Sequence, residues 1–254
     1  MSTNENKGKK AEVTALQAIS AEDRKDWISL AFVQAGICVC VPAFLLGALL
    51  AEAMPIWPAI ISGSLGYLIV VVGMVATGMI GCDLGLASCT CCQAGFGKSG
   101  ARFIVSTIFA VNMIGWFGIQ NGVCGEAFSN AMLAMTGWDI PVVVSNTIWG
   151  IIMLLTAVYG VHALEKLDKI SIPLLMIIMC YGTFLAFKVY GTGNLNDEGT
   201  VQSMSFMSGV ALSFNFTAVG TITGPDYTRF QKSRKDTVKS VFYGVFPMGV
   251  ITLI

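Results

Sequence analysis

The sequence predicts an all-α polytopic membrane protein of about seven transmembrane helices. Three observations predict it. Of 254 residues, 55% are hydrophobic and only 12% charged, against about 25% charged in a soluble domain. The apolar residues gather into long blocks free of Lys, Arg, Asp and Glu, and about 20 such residues span a bilayer. Basic residues crowd every second connection between blocks, the alternation that the positive-inside rule produces.

Residues 1–27 are polar and carry Lys7, Lys9, Lys10, Arg24 and Lys25. No short apolar core with a small-residue cleavage site follows, so this is not a signal peptide. It reads as a flexible cytoplasmic tail. The first span, 28–50, contains Gly36, Pro42 and Gly47, residues that weaken a helix and free its carbonyls. A connection with Glu52 and no basic residue leads to the second span, 56–80. Lys98 and Arg102 precede the third span, 103–124, in a connection that also holds Cys82, Cys89, Cys91 and Cys92. No His lies nearby and the spacing is not that of a zinc site, so no metal is expected. Cys38, Cys40, Cys124 and Cys180 sit in apolar blocks, where Cys behaves as a small hydrophobe.

Only Glu126 and Asp139 charge the next connection, before the fourth span, 140–161. Lys166 and Lys169 precede the fifth, 170–187; Lys188 stands beside Asp197 and Glu198 before the sixth, 204–224. Arg229, Lys232, Arg234, Lys235 and Lys239 precede the seventh, 241–254. With the tail inside, fourteen of the fifteen Lys and Arg are cytoplasmic, as expected of a multi-pass cell-membrane protein with its N-terminus in the cytoplasm. In lipid each block must satisfy its own backbone, so each is expected to be helical.

The sixth span strings together Gly209, Ser213, Asn215, Thr217, Gly220, Thr221, Thr223 and Gly224 before Pro225. It reads as a second interrupted helix beside the first. Broken helices of this kind carry substrate and ion sites at the midplane of transporters. Small residues equally serve ordinary helix packing in membranes.

Asn112, Trp116 and Gln120 recur every fourth position of the third span and share one face. The indole is a stacking surface and the carboxamide both donates and accepts. A planar base needs those two things. The same residues would also suit interhelical packing. Beyond the sixth span, Asp226 and Arg229 fall at the cytoplasmic face. They read as a gate or as a solvated surface pair worth about 0–1 kcal/mol.

The Gly-Trp-Phe-Gly stretch with Gln120, and Gly220-Thr-Ile-Thr-Gly-Pro-Asp-Tyr-Thr-Arg-Phe230, resemble two motifs of the nucleobase–cation symporters, the cytosine, purine and hydantoin permeases. The resemblance covers essentially the whole chain from the first span. It implies a LeuT-like fold of two inverted five-helix repeats plus two helices, of which this chain holds the first repeat and the start of the second. It implies uptake of a neutral planar heterocycle such as cytosine, purine, uracil or hydantoin, coupled to sodium or a proton. Trp116 is similar to the family's stacking Trp, and Gln120 to a hydrogen-bonding Gln of hydantoin-type members. Cytosine permeases carry a Gln where this chain has Met113, beside Asn112. Asn215 and Phe216 fall where the family's substrate contacts lie, and Gly36 and Cys40 near its ion-binding carbonyls. The eighth helix of the family is missing, which implies a truncated chain that does not transport alone.

Two other readings remain open on the residues. A membrane enzyme would have to build on His162, the only histidine; no nucleophile motif or phosphate loop accompanies it, and no catalytic residue is assigned. A non-transporting scaffold subunit would leave the Trp–Gln face without a ligand. The net charge of zero suggests no nucleic-acid partner. The expected partners are a small heterocycle and the bilayer, with no cofactor beyond the coupling ion and no obligate protein.

Overall fold

The structure, a computed structural model, describes residues 16–158, 161–191 and 204–253, without the side chains of 161–168 and 190. The expectations placed on Lys7, Lys9, Lys10, Asp197 and Glu198 fall outside the described residues, and those on His162 and Lys166 outside the described side chains. The described chain is helical, with a single isolated bridge between Lys25 and Gln231. Its helices are α1 (Trp27–Cys38), α2 (Val41–Ala53), α3 (Ile56–Leu84), α4 (Ser88–Cys91), α5 (Gln93–Gly100), α6 (Ser106–Thr136), α7 (Val142–Val158), α8 (Val161–Tyr190), α9 (Phe206–Thr228) and α10 (Arg234–Thr252). A π turn, Ala101–Val105, joins α5 to α6.

By length and composition, α3, the run Gln93–Thr136, the Lys169–Val189 part of α8 and α9 can each cross a membrane. The bent pair of α1 and α2 makes a fifth. α7 is a shorter apolar helix of 17 residues. α10 opens on Arg234, Lys235 and Asp236, and its apolar run starts only at Val241. The connection expected around Lys169 is helical instead, because nothing between Val161 and Ile170 breaks a helix and α8 runs through.

The first span is broken as expected. α1 and α2 meet at 55°, through Val39 and an extended Cys40 (φ −143°, ψ 155°). Pro42 has no N–H to offer the Cys38 carbonyl and its ring would collide with it. The helix therefore restarts with Pro42 in its first turn, where no donor is needed.

The sixth span departs from expectation: α9 is continuous over 23 residues. Pro225 removes the bond to the Thr221 carbonyl four residues back. The Thr77 hydroxyl of α3 donates to that carbonyl at 2.6 Å, so the helix passes through the proline. Its small residues serve packing. A Cβ on Gly66 would sit 2.6 Å from the Ser213 Cβ, on Gly81 it would meet Pro225, and on Gly209 it would meet Ser62. Glycines let the two backbones approach closely, and α3 and α9 form the most extensive helix pair.

Hydrogen bonds give the helix directions. Ser213 Oγ donates to the Gly63 carbonyl and Thr228 Oγ1 to the Gly78 carbonyl, both at 2.7 Å and both across 150 positions. A constant offset means that α3 and α9 run parallel. α7 runs back against α6, with Asn121 Nδ2 donating to the Asn146 carbonyl (3.0 Å) and Ser129 Oγ to the Ile140 carbonyl (2.5 Å). α10 packs on both α1 and α3, with Tyr67, Val241 and Val245 in the shared core.

The described end of the polar N-terminal segment, from residue 16, is tied to the helices by hydrogen bonds. Arg24 Nη1 donates to the carbonyls of Cys82 (3.0 Å) and Gln231 (2.9 Å). The Ile19 N–H donates to Gly85, and that of Lys25 to Phe230. Gly85, at φ +66°, ends α3 in the left-handed region and turns its carbonyl toward Ile19. Exposed carbonyls at a helix end need donors, and the segment supplies them.

Candidate functional site

The break between α1 and α2 faces α6 and α9 across a cavity of about 330 Å³. Gly36, Ile37 and Cys40 line it from the break, Met113, Trp116, Phe117 and Gln120 from α6, and Met153 from α7. α9 contributes Phe216, Thr217, Val219, Gly220, Thr223 and Tyr227. The Trp116 indole stands edge-on to the Phe216 ring, with centroids 5.3 Å apart and planes at 83°. Gln120, one turn further along α6, lines the same cavity as Cys40. The Thr217 and Thr223 hydroxyls donate back to the carbonyls of Ser213 and Val219 on their own helix, each at 3.1 Å. The lining holds no Asp, Glu, Lys or Arg. Such a wall can stack a small flat ring and read its edge through one carboxamide.

Five of the residues picked out from sequence thus meet in one place: Trp116, Gln120, Phe216, Gly36 and Cys40. Asn112 shares the Trp116 face but lies one turn beyond the cavity and is exposed. Asn215 is also exposed and off the lining, because it sits about 100° around α9 from Phe216. Met153 and Tyr227 were not singled out as site residues, and Thr217, Gly220 and Thr223 were noted only as part of the interrupted sixth span. Gly220 and Thr223 follow Phe216 by four and seven positions, share its helix face and could have been found that way. Nothing in the sequence of α7 marks Met153.

Asp226 and Arg229 lie outside the cavity, where α9 meets α4. Asp226 Oδ1 accepts from the Ser88 N–H at 3.0 Å, at the start of α4. Arg229 Nε donates to the Asp226 backbone carbonyl at 3.3 Å, and its guanidinium lies 4.7 Å over the Phe230 ring. Burial pushes the nearby Cys89 and Cys91 thiols above the ordinary thiol range, which keeps them protonated and weakly nucleophilic at neutral pH. Among the described residues no His, Cys, Asp or Glu cluster is arranged to hold a metal.

Residues 19–254 match the family described as "Permease for cytosine/purines, uracil, thiamine, allantoin". The chain belongs to this family. It is a multi-pass membrane protein, as the family and its apolar helices together require. It is 27% identical over 216 residues to the cytosine permease of Escherichia coli (strain K12), a match covering 84% of this chain and 49% of the relative. It is 25% identical over 247 residues to the purine-uracil permease NCS1 of Arabidopsis thaliana, covering 87% of this chain and 41% of the relative. The chain spans about half the length of the curated relatives it matches. Among solved structures, it superimposes with a TM-score of 0.85 and 17% identity on Mhp1, a nucleobase-cation-symport-1 family transporter in a closed conformation with bromovinylhydantoin bound. That match covers 96% of this chain and 57% of Mhp1. It establishes the fold: the first repeat and the beginning of the second in a LeuT-like arrangement.

Proposed function

We propose that this chain supplies the substrate-binding part of a secondary transporter for a neutral, planar heterocycle of the nucleobase or hydantoin type. The observation that carries the reading is the uncharged cavity between the helix break and the Trp116–Phe216 pair, with Gln120 at its edge. Its volume lies at the small end of ligand pockets, which run from about 300 to 1,000 Å³. The absence of charge from its lining fits a neutral ligand, since a charged one would need a partner in the membrane. The relatives' names point the same way: cytosine, purine-uracil and allantoin permeases.

Coupling to sodium or a proton belongs to the same proposal. The carbonyls freed where α1 ends beside Gly36 and Cys40 are suited to part of a cation shell. The distribution of Lys and Arg supports a cell-membrane placement with the N-terminus in the cytoplasm.

The test is binding of cytosine, uracil, hypoxanthine, hydantoin and allantoin to the purified chain in nanodiscs. Saturable binding of at least one, lost in Trp116→Ala, supports the reading. Binding of none sinks it. Repeating the titration in sodium-free buffer and across pH 6–8 identifies the coupled ion by the dependence that appears.

A further inference from the structure

Arg229, Lys232, Arg234, Lys235 and Lys239 stand between the end of α9 and the apolar run of α10, and the fold uses three of them internally. Lys232 Nζ pairs with Asp26 at 2.5 Å, Arg234 Nε donates to Asp83 Oδ1 at 2.9 Å, and the Arg229 guanidinium lies over the Phe230 ring. Lys235 and Lys239 are exposed and pair with no carboxylate among the described residues. Asp236, beside them in sequence, accepts from the Ser233 hydroxyl at 2.9 Å. One turn apart, the two lysines share a face of α10 with Cβ atoms about 5–6 Å from each other. Lys239 Nζ lies 5.9 Å from the centre of the Trp27 ring, at the first residue of α1, and an ammonium over a ring keeps N–H donors to give. Aromatic rings continue from there toward the hydrocarbon. Trp27 meets Tyr243 at 5.9 Å, Tyr243 meets Phe242 edge-on at 5.4 Å, and Phe242 stacks on Phe246 at 5.5 Å. Tyr243 is 56% exposed and Phe242 38%.

We propose that the α1–α10 seam, on the membrane face that carries the N-terminal segment, binds one anionic phospholipid. Lys235 and Lys239 hold its phosphate, Trp27 and Tyr243 lie at the level of its glycerol, and an acyl chain follows Phe242 and Phe246. The order of groups along α10 matches the order of groups along such a lipid: two cations without a carboxylate, then amphipathic rings, then apolar rings. From Lys235 to Phe246 the helix advances about 16 Å, which takes it from the headgroup layer into the acyl layer. Trp and Tyr favour that boundary, and basic pockets between spans bind anionic head groups. A zwitterionic lipid carries its own cation and leaves the two lysines uncompensated. The site is separate from the cavity and does not depend on what the cavity binds.

The test titrates the detergent-purified chain with phosphatidylglycerol or with phosphatidylcholine of the same acyl chains and counts bound lipid by native mass spectrometry. Wild type should bind one phosphatidylglycerol roughly fivefold or more tightly than phosphatidylcholine. Lys235→Ala and Lys239→Ala should each weaken phosphatidylglycerol roughly fivefold, the share of one lysine near an anionic surface, and leave phosphatidylcholine unchanged. Both lysines are exposed, so neither change should disturb folding, and an unshifted melting temperature checks that. Lys98→Ala, an equally exposed lysine on α5, should leave both lipids unchanged. Equal binding of the two lipids by wild type overturns the proposal. A Lys98→Ala effect as large as that of Lys239→Ala also overturns it, because it would mark diffuse attraction to a basic surface rather than a site. Glycerol 3-phosphate bound as tightly as phosphatidylglycerol would make the seam a site for soluble phosphate and overturn the lipid as its occupant.

Discussion

Thr77 of α3 donates its hydroxyl hydrogen to the Thr221 carbonyl of α9 at 2.6 Å. That carbonyl is the acceptor orphaned by Pro225, and no water can replace the donor in hydrocarbon. Thr77→Val keeps the shape and removes the donor. It should destabilise the chain by about 1–3 kcal/mol, the cost of an unpaired buried acceptor, while Thr77→Ser should stay close to wild type. Thermal unfolding in detergent, followed by size-exclusion retention, checks both. Equal melting of the valine variant and wild type would show that the contact does not sustain the helix.

The α3–α9 seam predicts a sharp contrast between glycines. A Cβ on Gly66 would meet the Phe214 nitrogen and the Val210 carbonyl oxygen, both at 2.7 Å, besides the Ser213 Cβ. Two of these are backbone atoms, which cannot move aside alone. Gly66→Val should therefore cost more than the roughly 1–3 kcal/mol of ordinary overpacking and yield little monodisperse protein. Gly118→Ala on α6 meets nothing within 4 Å and should express and melt like wild type. Parallel expression and melting series would expose the idea as mistaken if both variants behave alike.

What the sequence revealed and what it concealed divide along physical lines. The apolar blocks were legible because excluding charge from hydrocarbon is a bulk effect that every residue of a span must obey. The break at Val39–Cys40 was legible from Pro42, a local cause. The continuity of α9 was not, because it depends on Thr77, far away in the chain. The same holds for the segment around Arg24: its charges suggested solvent, but the carbonyls it serves belong to Cys82 and Gln231. At the cavity, Trp116 and Gln120 were legible from helical spacing and motif, and Phe216 only through the family resemblance. The exposure of Asn112 was not, because it depends on where neighbouring helices end their contact, whereas that of Asn215 goes with its place about 100° around α9 from Phe216.

Arg24 offers a test of the N-terminal strap. One guanidinium nitrogen serves two carbonyls on separate elements, and hydrogen bonds to charged groups contribute about 1.5–3 kcal/mol when sheltered. The site is only partly buried, so the lower end applies after solvent screening. Arg24→Ala should speed amide exchange in residues 16–26 and in the α3 C-terminal turn around Gly85, with the α3–α9 centre unchanged. Exchange measured by mass spectrometry that is the same in both proteins would remove the strap's energetic role.

The charge distribution makes a separate prediction about sidedness. Asp139, between α6 and α7, and Lys235, at the start of α10, are both exposed. With the N-terminus cytoplasmic, they lie on opposite sides of the membrane. A membrane-impermeant maleimide applied to intact cells should label Asp139→Cys and spare Lys235→Cys, which should react only after lysis. Peptide-resolved detection separates the new thiols from the native ones. The reverse pattern would invert the topology.

The aromatic pair sets the scale of ligand binding. A base stacked on an aromatic side chain is worth about 1–3 kcal/mol, so Trp116→Ala should weaken heterocycle binding roughly 5- to 150-fold. Phe216 meets the indole edge-on. Such a pair contributes about 0.5–1.5 kcal/mol beyond its buried area. Phe216→Ala should therefore cost roughly 2- to 13-fold, chiefly by letting the indole turn. Asn215→Ala, next door in sequence but off the cavity, should change binding less than twofold, about 0.4 kcal/mol. Equilibrium binding of radiolabelled uracil or hydantoin measures all three without relying on indole fluorescence. The order Trp116, then Phe216, then Asn215 is the signature of stacking in this cavity. A larger effect at Asn215 than at Phe216 would place the ligand on the other face of α9.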